Sequence, residues 1–244
     1  MQGNFFCHRG GQAVTDVQVC DWAGFWDAKA VSPTDFQATG RGGMDVVGFL
    51  YTVGEIVRLL AFRPADELLD IGCGTGLIAL SLAPWVSRIK GVDISSGMVD
   101  RARSNLDHVP NVDVAVGSIT NLHEPDDSYD KVLAYSVLQY LADESMLREA
   151  LNDVFRVLRP GGRALLAANP DPSRRSRLEE VIRTRPDKEA VEKELSLLDQ
   201  VLWVEPARML TLAEEAGFSP RIEPISPCIW QHFYMFDLVL DKHG

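Results

Sequence analysis

With 244 residues, the chain is long enough for one α/β domain with a packed core and an appendage. Its formal net charge of −11 argues against nucleic acid as a substrate, because binding to phosphates requires a basic surface. The sequence shows neither the roughly 18 consecutive apolar residues of a membrane span nor the pattern of a signal peptide. The four cysteines lack the spacing of a metal site or a C-x-x-C pair. We therefore expect a cytoplasmic protein with reduced thiols, no metal ion and no membrane partner.

Residues 1–64 are predicted to form a helical cap ahead of the core. Aromatic side chains at i, i+3 and i+4 predict one helix from Trp22 to Ala30. Apolar side chains recur with helical spacing from Asp45 to Phe62, and Pro64 ends that pattern. Phe25 and Trp26 of the first helix are interpreted as packing residues, whereas Tyr51 on the second helix is a candidate to contact substrate.

Residues 65–244 are predicted to form the core, in which strands and helices alternate. Apolar runs predict strands near 67–71, 88–93, 112–116, 129–135 and 163–168. Helical spacing of apolar residues predicts helices near 76–83, 97–106 and 143–158. Strands and helices that alternate with short connections predict a parallel sheet covered on both faces, with the ligand site at the carboxyl ends of the strands.

Residues 170–203 interrupt this alternation. Two helical patterns in the segment predict a helical insertion after the fifth strand. Pro206 and Gly217 suit the first position of a further helix and the position just after its end. Two closing strands are predicted at about 219–225 and 232–241.

The most informative stretch is a strand followed by a glycine-rich turn, E-L-L-D-I-G-C-G-T-G-L at residues 67–77. A dinucleotide-binding turn has the spacing G-x-G-x-x-G, but the third glycine here is Gly76, and Leu77 occupies the dinucleotide position. Asp70 on the strand would repel a pyrophosphate and attract an ammonium group. Asp93, at the end of the next strand, can accept from two ribose hydroxyls. The pattern therefore disfavours a nicotinamide-dependent oxidoreductase and indicates a nucleoside ligand without phosphates.

This pattern resembles motif I of the class I S-adenosylmethionine-dependent methyltransferases. Further segments match the motifs of that family in the same order, at residues 91–98, 112–119, 129–140 and 158–166. The resemblance covers about residues 66–168. It implies a Rossmann-like, doubly wound α/β fold, whose mostly parallel seven-stranded sheet has an antiparallel last strand and carries a helical cap. It also implies S-adenosylmethionine as the cofactor and an insertion that covers the substrate, although a plain surface pair of helices is the alternative.

By the same resemblance, the glycine turn and the next three strands hold the methyl donor. The implied donor-binding residues are Asp70, Gly72, Cys73, Gly74, Asp93, Ile94, Met98, Ser118, Ile119 and Tyr135. Family members often have an acidic residue at position 118, which accepts from the adenine amino group; here the serine hydroxyl or the backbone of Ile119 takes that part. Arg41 is a further candidate, because its guanidinium could pair with the carboxylate of the donor.

Candidates for contact with the substrate lie in the cap, after the fourth and fifth strands, and beside the insertion. They are Tyr51, Tyr140, Asn169 and Trp203. If the aromatic residues outside the motifs converge on the site, the acceptor needs a broad apolar surface; these are Trp22, Trp26, Tyr51, Trp203 and Trp230. In-line methyl transfer depends mainly on alignment and on exclusion of water, so catalytic residues and a general base stay unassigned.

The expected activity is methylation of a small molecule or a sugar-bearing metabolite, and O-methylation is favoured. Positions 135–138 read Tyr-Ser-Val-Leu, in place of the Asn/Asp-Pro-Pro-Tyr signature of nucleobase or glutamine methylation. N-methylation of a small amine and donor binding without catalysis are the alternatives. The sequence leaves the acceptor and the oligomeric state open.

Overall fold

The computed structural model describes residues 21–40 and 46–244. The strands in this part of the chain are β1 Glu67–Ile71, β2 Arg88–Asp93, β3 Val112–Val116, β4 Tyr129–Tyr135, β5 Leu158–Pro170, β6 Ser219–Glu223 and β7 Met235–Asp241. They form one sheet in the order β3-β2-β1-β4-β5-β7-β6. Neighbouring strands from β3 to β5 are parallel, and β7 runs antiparallel to both β5 and β6. The predicted mostly parallel seven-stranded sheet with an antiparallel last strand is confirmed.

Helices cover both faces of this sheet. Those described are α1 Trp22–Ala30, α2 Asp35–Ala38, α3 Val46–Leu60, α4 Leu77–Leu82, α5 Ser96–Leu106, α6 Glu144–Val157, α7 Arg175–Arg183, α8 Lys188–Leu198 and α9 Pro206–Glu215. Successive strand residues face opposite sides, so Leu69 belongs to the core under α6 and α9, whereas Leu68 belongs to the core under α3, α4 and α5. The two apolar layers hold the carboxyl edge of the sheet in place.

Helices α1 and α3 lie where the sequence predicts the helices of the cap. Helix α1 contacts α5, and α3 contacts α4 and β5. The division into a cap of residues 1–64 and a core of residues 65–244 stays a prediction. None of the helices in the described part of the chain is long and apolar enough to span a bilayer.

The insertion contains α7 and α8, which pack beside the last strand. Leu178 and Ile182 of α7 and Val191 of α8 are buried in one apolar cluster with Ile229 and Met235. The insertion therefore supports the segment that leads into β7.

The starts of two strands differ from the sequence prediction. Strand β5 begins at Leu158 rather than near residue 163, because Leu158 already pairs with Tyr129 ahead of an irregularity in the register. Strand β7 begins at Met235 rather than at residue 232. The preceding residues, Trp230–Phe233, form a 3-10 turn, which the N–H of Tyr234 closes by donating to the carbonyl of Gln231 at 3.1 Å.

Candidate functional site

A cavity of about 480 Å³ lies along the carboxyl edge of the sheet, where open α/β sheets bind their ligands. One end, here called the glycine-turn end, is lined by Gly72, Cys73, Gly74, Asp93, Ile94, Met98, Ser118 and Ile119. The other, here called the β7 end, is lined by Trp230, Gln231, Tyr234 and Met235. Because β7 is antiparallel to β5, its first residue lies at the same edge as the last residues of β5. Tyr135, at the end of β4, lies between the two ends.

The turn after β1 requires glycine. Gly72, Gly74 and Gly76 have φ angles of +71°, +55° and +82°, which L side chains rarely adopt. A Cβ atom on Gly72 would also lie 2.4 Å from Cγ2 of Val137. In this conformation the N–H of Gly74 donates to Oδ2 of Asp93 at 2.8 Å. The turn and the aspartate of the next strand therefore form one unit.

The Asp93 carboxylate is the charged group at the glycine-turn end. It is 8% exposed, and its two oxygens accept from the N–H groups of Gly74 and Ser95 at 2.8 and 2.9 Å. Burial raises the pKa of Asp93, whereas those two N–H donors lower it. Each carboxylate oxygen accepts more than one hydrogen bond, so both can still receive a ligand hydroxyl.

Most of the predicted donor-binding residues line this one cavity: Gly72, Cys73, Gly74, Asp93, Ile94, Met98, Ser118, Ile119 and Tyr135. Burial raises the pKa of the Cys73 thiol well above its usual range, so Cys73 is a packing group at neutral pH. The Ser118 hydroxyl lies 3.1 Å from that of Thr120. Their roles toward a donor stay predictions.

Two predicted donor-binding residues stand apart from this lining. Asp70 is buried in β1, between β2 and β4, and is not on the cavity wall. Its charge still acts on the turn, where it helps to raise the pKa of Cys73 after the larger effect of burial. Arg41 lies outside the described residues.

Helix α1 covers the cavity with aromatic rings. The ring of Tyr140 has its centroid 4.7 Å from that of Trp22 and 5.5 Å from that of Trp26, and all three residues line the cavity. Tyr140 thus lies on the cavity wall, while its contact with substrate stays a prediction, and the interpretation of Trp26 as a packing residue is incomplete because Trp26 also lines the cavity. The i, i+4 spacing of Trp22 and Trp26 on the cap is the signal that points to a shared wall.

Polar contacts dock the cap onto α5. The Asp27 carboxylate of α1 accepts from the Ser95 hydroxyl at 2.6 Å and from the N–H of Gly97 at 2.9 Å. The Arg101 guanidinium of α5 donates to the carbonyls of Ala30 and Ser32 at 2.8 and 2.6 Å and to Asp35 at 2.7 Å. Ser95 also donates its N–H to Asp93, so this one residue contacts both the cap and the carboxylate at the glycine-turn end.

Three predicted substrate contacts lie away from the cavity lining. The Asn169 amide is buried and donates to the carbonyls of Leu166 and Phe236 at 2.7 and 3.3 Å, across an irregularity between β5 and β7. The Trp203 indole donates to the carbonyl of Leu198 at 2.9 Å and supports the insertion. Tyr51 is 46% exposed on α3. None of these three residues lines the cavity, so their contact with substrate stays a prediction.

The rest of the lining includes Ser136 and Gln139, which belong to the matched segment 129–140. It also includes Gln231 and Tyr234, which no motif specifies. The charged residues among the described lining are Asp21 and Asp93, and that lining contains no histidine, lysine or arginine. The described residues also contain no cluster suited to a metal ion. The described lining thus consists mainly of aromatic, aliphatic and neutral polar groups.

Two features together point to one class of protein. Strand β7 lies next to last in the sheet and is antiparallel to its neighbours, and the glycine turn is hydrogen-bonded to Asp93 of β2. These are features of the class I S-adenosylmethionine-dependent methyltransferases, which the chain resembles in fold and in site. Residues 68–162 match the family model described as a methyltransferase domain.

Similar proteins agree with this class. The demethylmenaquinone methyltransferase of Symbiobacterium thermophilum is 35% identical over 115 residues, 45% of this chain and 45% of that protein. A ubiquinone/menaquinone biosynthesis C-methyltransferase of Geobacter sulfurreducens is 32% identical over 128 residues, 50% and 48% of the two chains. The structure of geranyl diphosphate C-methyltransferase from Streptomyces coelicolor has a TM-score of 0.65 at 13% identity, over 92% of this chain and 97% of that chain, and shows the shared fold. This chain spans less than half the length of the curated relatives it matches.

The residues present fit S-adenosylmethionine, the cofactor of the class. A buried carboxylate with acceptor capacity suits a ribose diol, and the glycine turn lets the backbone approach a ligand closely. A Cβ atom on Gly74 would lie 3.1 Å from Cγ2 of Thr39 in the cap, so the space between turn and cap is narrow.

Proposed function

We propose that this protein transfers the methyl group of S-adenosylmethionine to a small molecule bound toward the β7 end. The observation that carries the proposal is one continuous cavity that joins the Asp93 carboxylate to the aromatic rings of Trp22, Trp26 and Tyr140. A mostly apolar wall with a few neutral polar groups is typical of a small-molecule site. A metabolite with an aromatic or sugar-bearing surface would suit that wall.

In the proposed reaction this chain binds the donor and the acceptor, aligns the reacting atoms and excludes water. The donor supplies an activated methyl group when bound. Gly72 and Gly74 allow close backbone approach, and Asp93 would hold the ribose hydroxyls. Helix α1, docked through Asp27 and Arg101, shields the reacting atoms. Holding the nucleophile, the methyl carbon and the sulfur in line lowers the entropic part of the barrier.

We propose an oxygen as the favoured nucleophile. The described lining offers no histidine or lysine as a general base, which favours an acceptor that loses its proton readily. A phenolic or enolic hydroxyl does this, and it also suits aromatic walls. N-methylation of a small amine is the alternative, since an amine that arrives neutral needs no base.

A carbon nucleophile is a second candidate. It is favoured by the similarity of residues in the core to a protein named as a C-methyltransferase of quinone biosynthesis. Transfer from a ¹³C-methyl donor, followed by NMR of the product, separates the three cases because methyl groups on oxygen, nitrogen and carbon have different chemical shifts.

The proposal is tested by titrating the purified full chain with S-adenosylmethionine, S-adenosylhomocysteine and NAD in a calorimeter. We expect the first two to bind and NAD not to bind. Radiolabelled methyl from the donor should then enter the small-molecule fraction of a metabolite extract. Donor binding without any transfer would support the non-catalytic alternative, and a folded chain that binds neither sulfur nucleoside would contradict the proposal.

A further inference from the structure

The β7 end of the cavity contains a buried amide. Gln231 lies in the 3-10 turn Trp230–Phe233 and lines the cavity while only 9% exposed. Its backbone carbonyl accepts from the N–H of Tyr234 at 3.1 Å, and the ring centroids of Trp230 and Tyr234 lie 5.4 Å apart. Neighbouring Ile229 is buried against the insertion. The backbone that carries Gln231 is therefore held from two sides.

The side-chain oxygen of Gln231 has no hydrogen-bond donor among the described residues. Gln139, the other glutamine of the lining, donates its amide to the Ser136 hydroxyl at 3.1 Å. A buried amide oxygen that stays unpaired costs about 1–3 kcal/mol, so such groups are nearly always satisfied. At a cavity wall, a ligand with an O–H or N–H group can satisfy it.

The surroundings restrict that ligand further. Trp22, Trp26, Tyr140 and Tyr234 give the cavity aromatic rings, and the described lining contains no arginine, lysine or histidine. Among these described residues a phosphate or carboxylate would find no counter-charge, and it would lose its hydration. Planar, uncharged molecules stack on such rings at little cost.

We infer that Gln231 is an acceptor-binding residue, and that the molecule it binds is uncharged and aromatic and donates a hydroxyl or amine hydrogen bond to the amide oxygen. The inference rests on the proposed function and deepens it, because it names the class of methyl acceptor. In this arrangement Gln231 fixes the orientation of the acceptor, while Asp93 at the other end of the cavity holds the donor.

The test uses three probes of matched ring size on the full chain saturated with S-adenosylhomocysteine. They are 2-naphthol, naphthalene and 2-naphthalenesulfonate. Calorimetry should show 2-naphthol binding about 3- to 10-fold more tightly than naphthalene, as expected for one neutral hydrogen bond. In Gln231→Met this preference should vanish, with naphthalene and S-adenosylhomocysteine binding unchanged. Gln200→Met is the matched control, since Gln200 is exposed in the turn just after α8, outside the cavity.

Each outcome decides the inference. It is overturned if the sulfonate binds best, if 2-naphthol and naphthalene bind wild type equally, or if Gln231→Met weakens both to the same extent. The wild-type comparison holds even when the variant does not fold. Binding of S-adenosylhomocysteine with no binding of any probe overturns the inference and leaves the donor site standing. Absence of S-adenosylhomocysteine binding defeats the proposed function, and the inference with it.

Discussion

The Asp93 carboxylate both shapes the glycine turn and faces the cavity. Asp93→Ala should weaken S-adenosylhomocysteine binding by about 1–3 kcal/mol, since ligand hydroxyls and two backbone donors lose their partner. Calorimetry measures this loss. Asp113→Ala is the matched control on the neighbouring strand, because Asp113 is 61% exposed and pairs only with Lys90 among the ion pairs described. Equal affinities for the two variants would remove Asp93 from the donor site.

Glycine substitutions separate strain from helix propensity. Gly72→Ala places a Cβ atom 2.4 Å from Val137 at a φ of +71°, and should lower the unfolding free energy by about 2 kcal/mol or more and impair donor binding. Gly54 lies in α3, and a Cβ atom added there would meet nothing within 4 Å. Gly54→Ala should therefore raise the unfolding free energy by about 0.5–1 kcal/mol. Urea denaturation of both variants measures the two signs. A harmless Gly72→Ala would show that the turn relaxes.

A buried carboxyl outside the cavity should make stability depend on pH. Burial, together with Glu55 and Glu223, raises the pKa of Asp237 to about 6, although its bond from the N–H of Ala168 lowers it. A raised folded pKa means that the protonated form stabilises the fold below the unfolded value, 3.8, and that this contribution is lost as pH rises through about 6.

Asp237→Asn should remove that dependence. At pH 7–8 the variant should be more stable than wild type by about 1–3 kcal/mol, because an amide carries no charge to bury. The difference should shrink as pH falls from 7 toward 4. Denaturant titrations across this range measure it, and a difference independent of pH would mean that Asp237 titrates normally.

The residues that sequence could identify are those fixed by local chemistry. A positive φ requires Gly72, and a ribose diol requires an acceptor such as Asp93, so both can be read from spacing. Asn169 could not be placed this way, because its partners are carbonyls exposed by an irregularity between two strands distant in sequence. Gln231 also escapes prediction, since no pattern marks a turn built by packing against the insertion.

At the scale of elements, the docking of α1–α2 onto α5 should control donor exchange. Arg101→Met removes the guanidinium that donates hydrogen bonds to the carbonyls of Ala30 and Ser32 and to the Asp35 carboxylate, so the cap should undock more often. We expect S-adenosylhomocysteine to dissociate on the order of 10-fold faster, the effect of losing charged hydrogen bonds worth about 1.5 kcal/mol. Stopped-flow displacement measures the rate.

Arg103→Met provides the comparison on the same helix. Arg103 is 54% exposed and pairs with Asp100, three residues away, rather than with the cap. Its replacement should leave the dissociation rate near that of wild type. If both variants accelerate release equally, the cap contacts do not limit exchange.

Whole elements were predictable wherever periodicity and end signals coincide. Asp143 caps α6 by accepting from the N–H of Met146 at 3.0 Å, and a buried apolar stripe follows, which the sequence shows directly. The start of β7 was less visible, because Trp230–Phe233 has the aromatic composition of a strand but closes a turn. Composition alone cannot show that a backbone hydrogen bond has been used within the turn.

At the scale of the whole molecule, donor binding should stabilise the fold. We expect S-adenosylhomocysteine to bind only the folded chain, so a concentration 100-fold above its Kd should add about 2.7 kcal/mol to the unfolding free energy. For a chain of this size that raises Tm by roughly 5–10 °C. Differential scanning fluorimetry measures the shift, with NAD as the ligand expected to give none. A shift with NAD alone would reverse the assignment of the cofactor.

The tryptophans that line the cavity give the protein an optical reporter of its own. Trp22, Trp26 and Trp230 lie on the wall, whereas Trp85 and Trp203 do not. The fluorescence of an indole responds to the polarity of its surroundings and to neighbouring rings. Entry of a nucleoside or an aromatic molecule should therefore quench or shift the tryptophan fluorescence without any added label. Single Trp→Phe replacements at the three positions would then show which region of the cavity fills first.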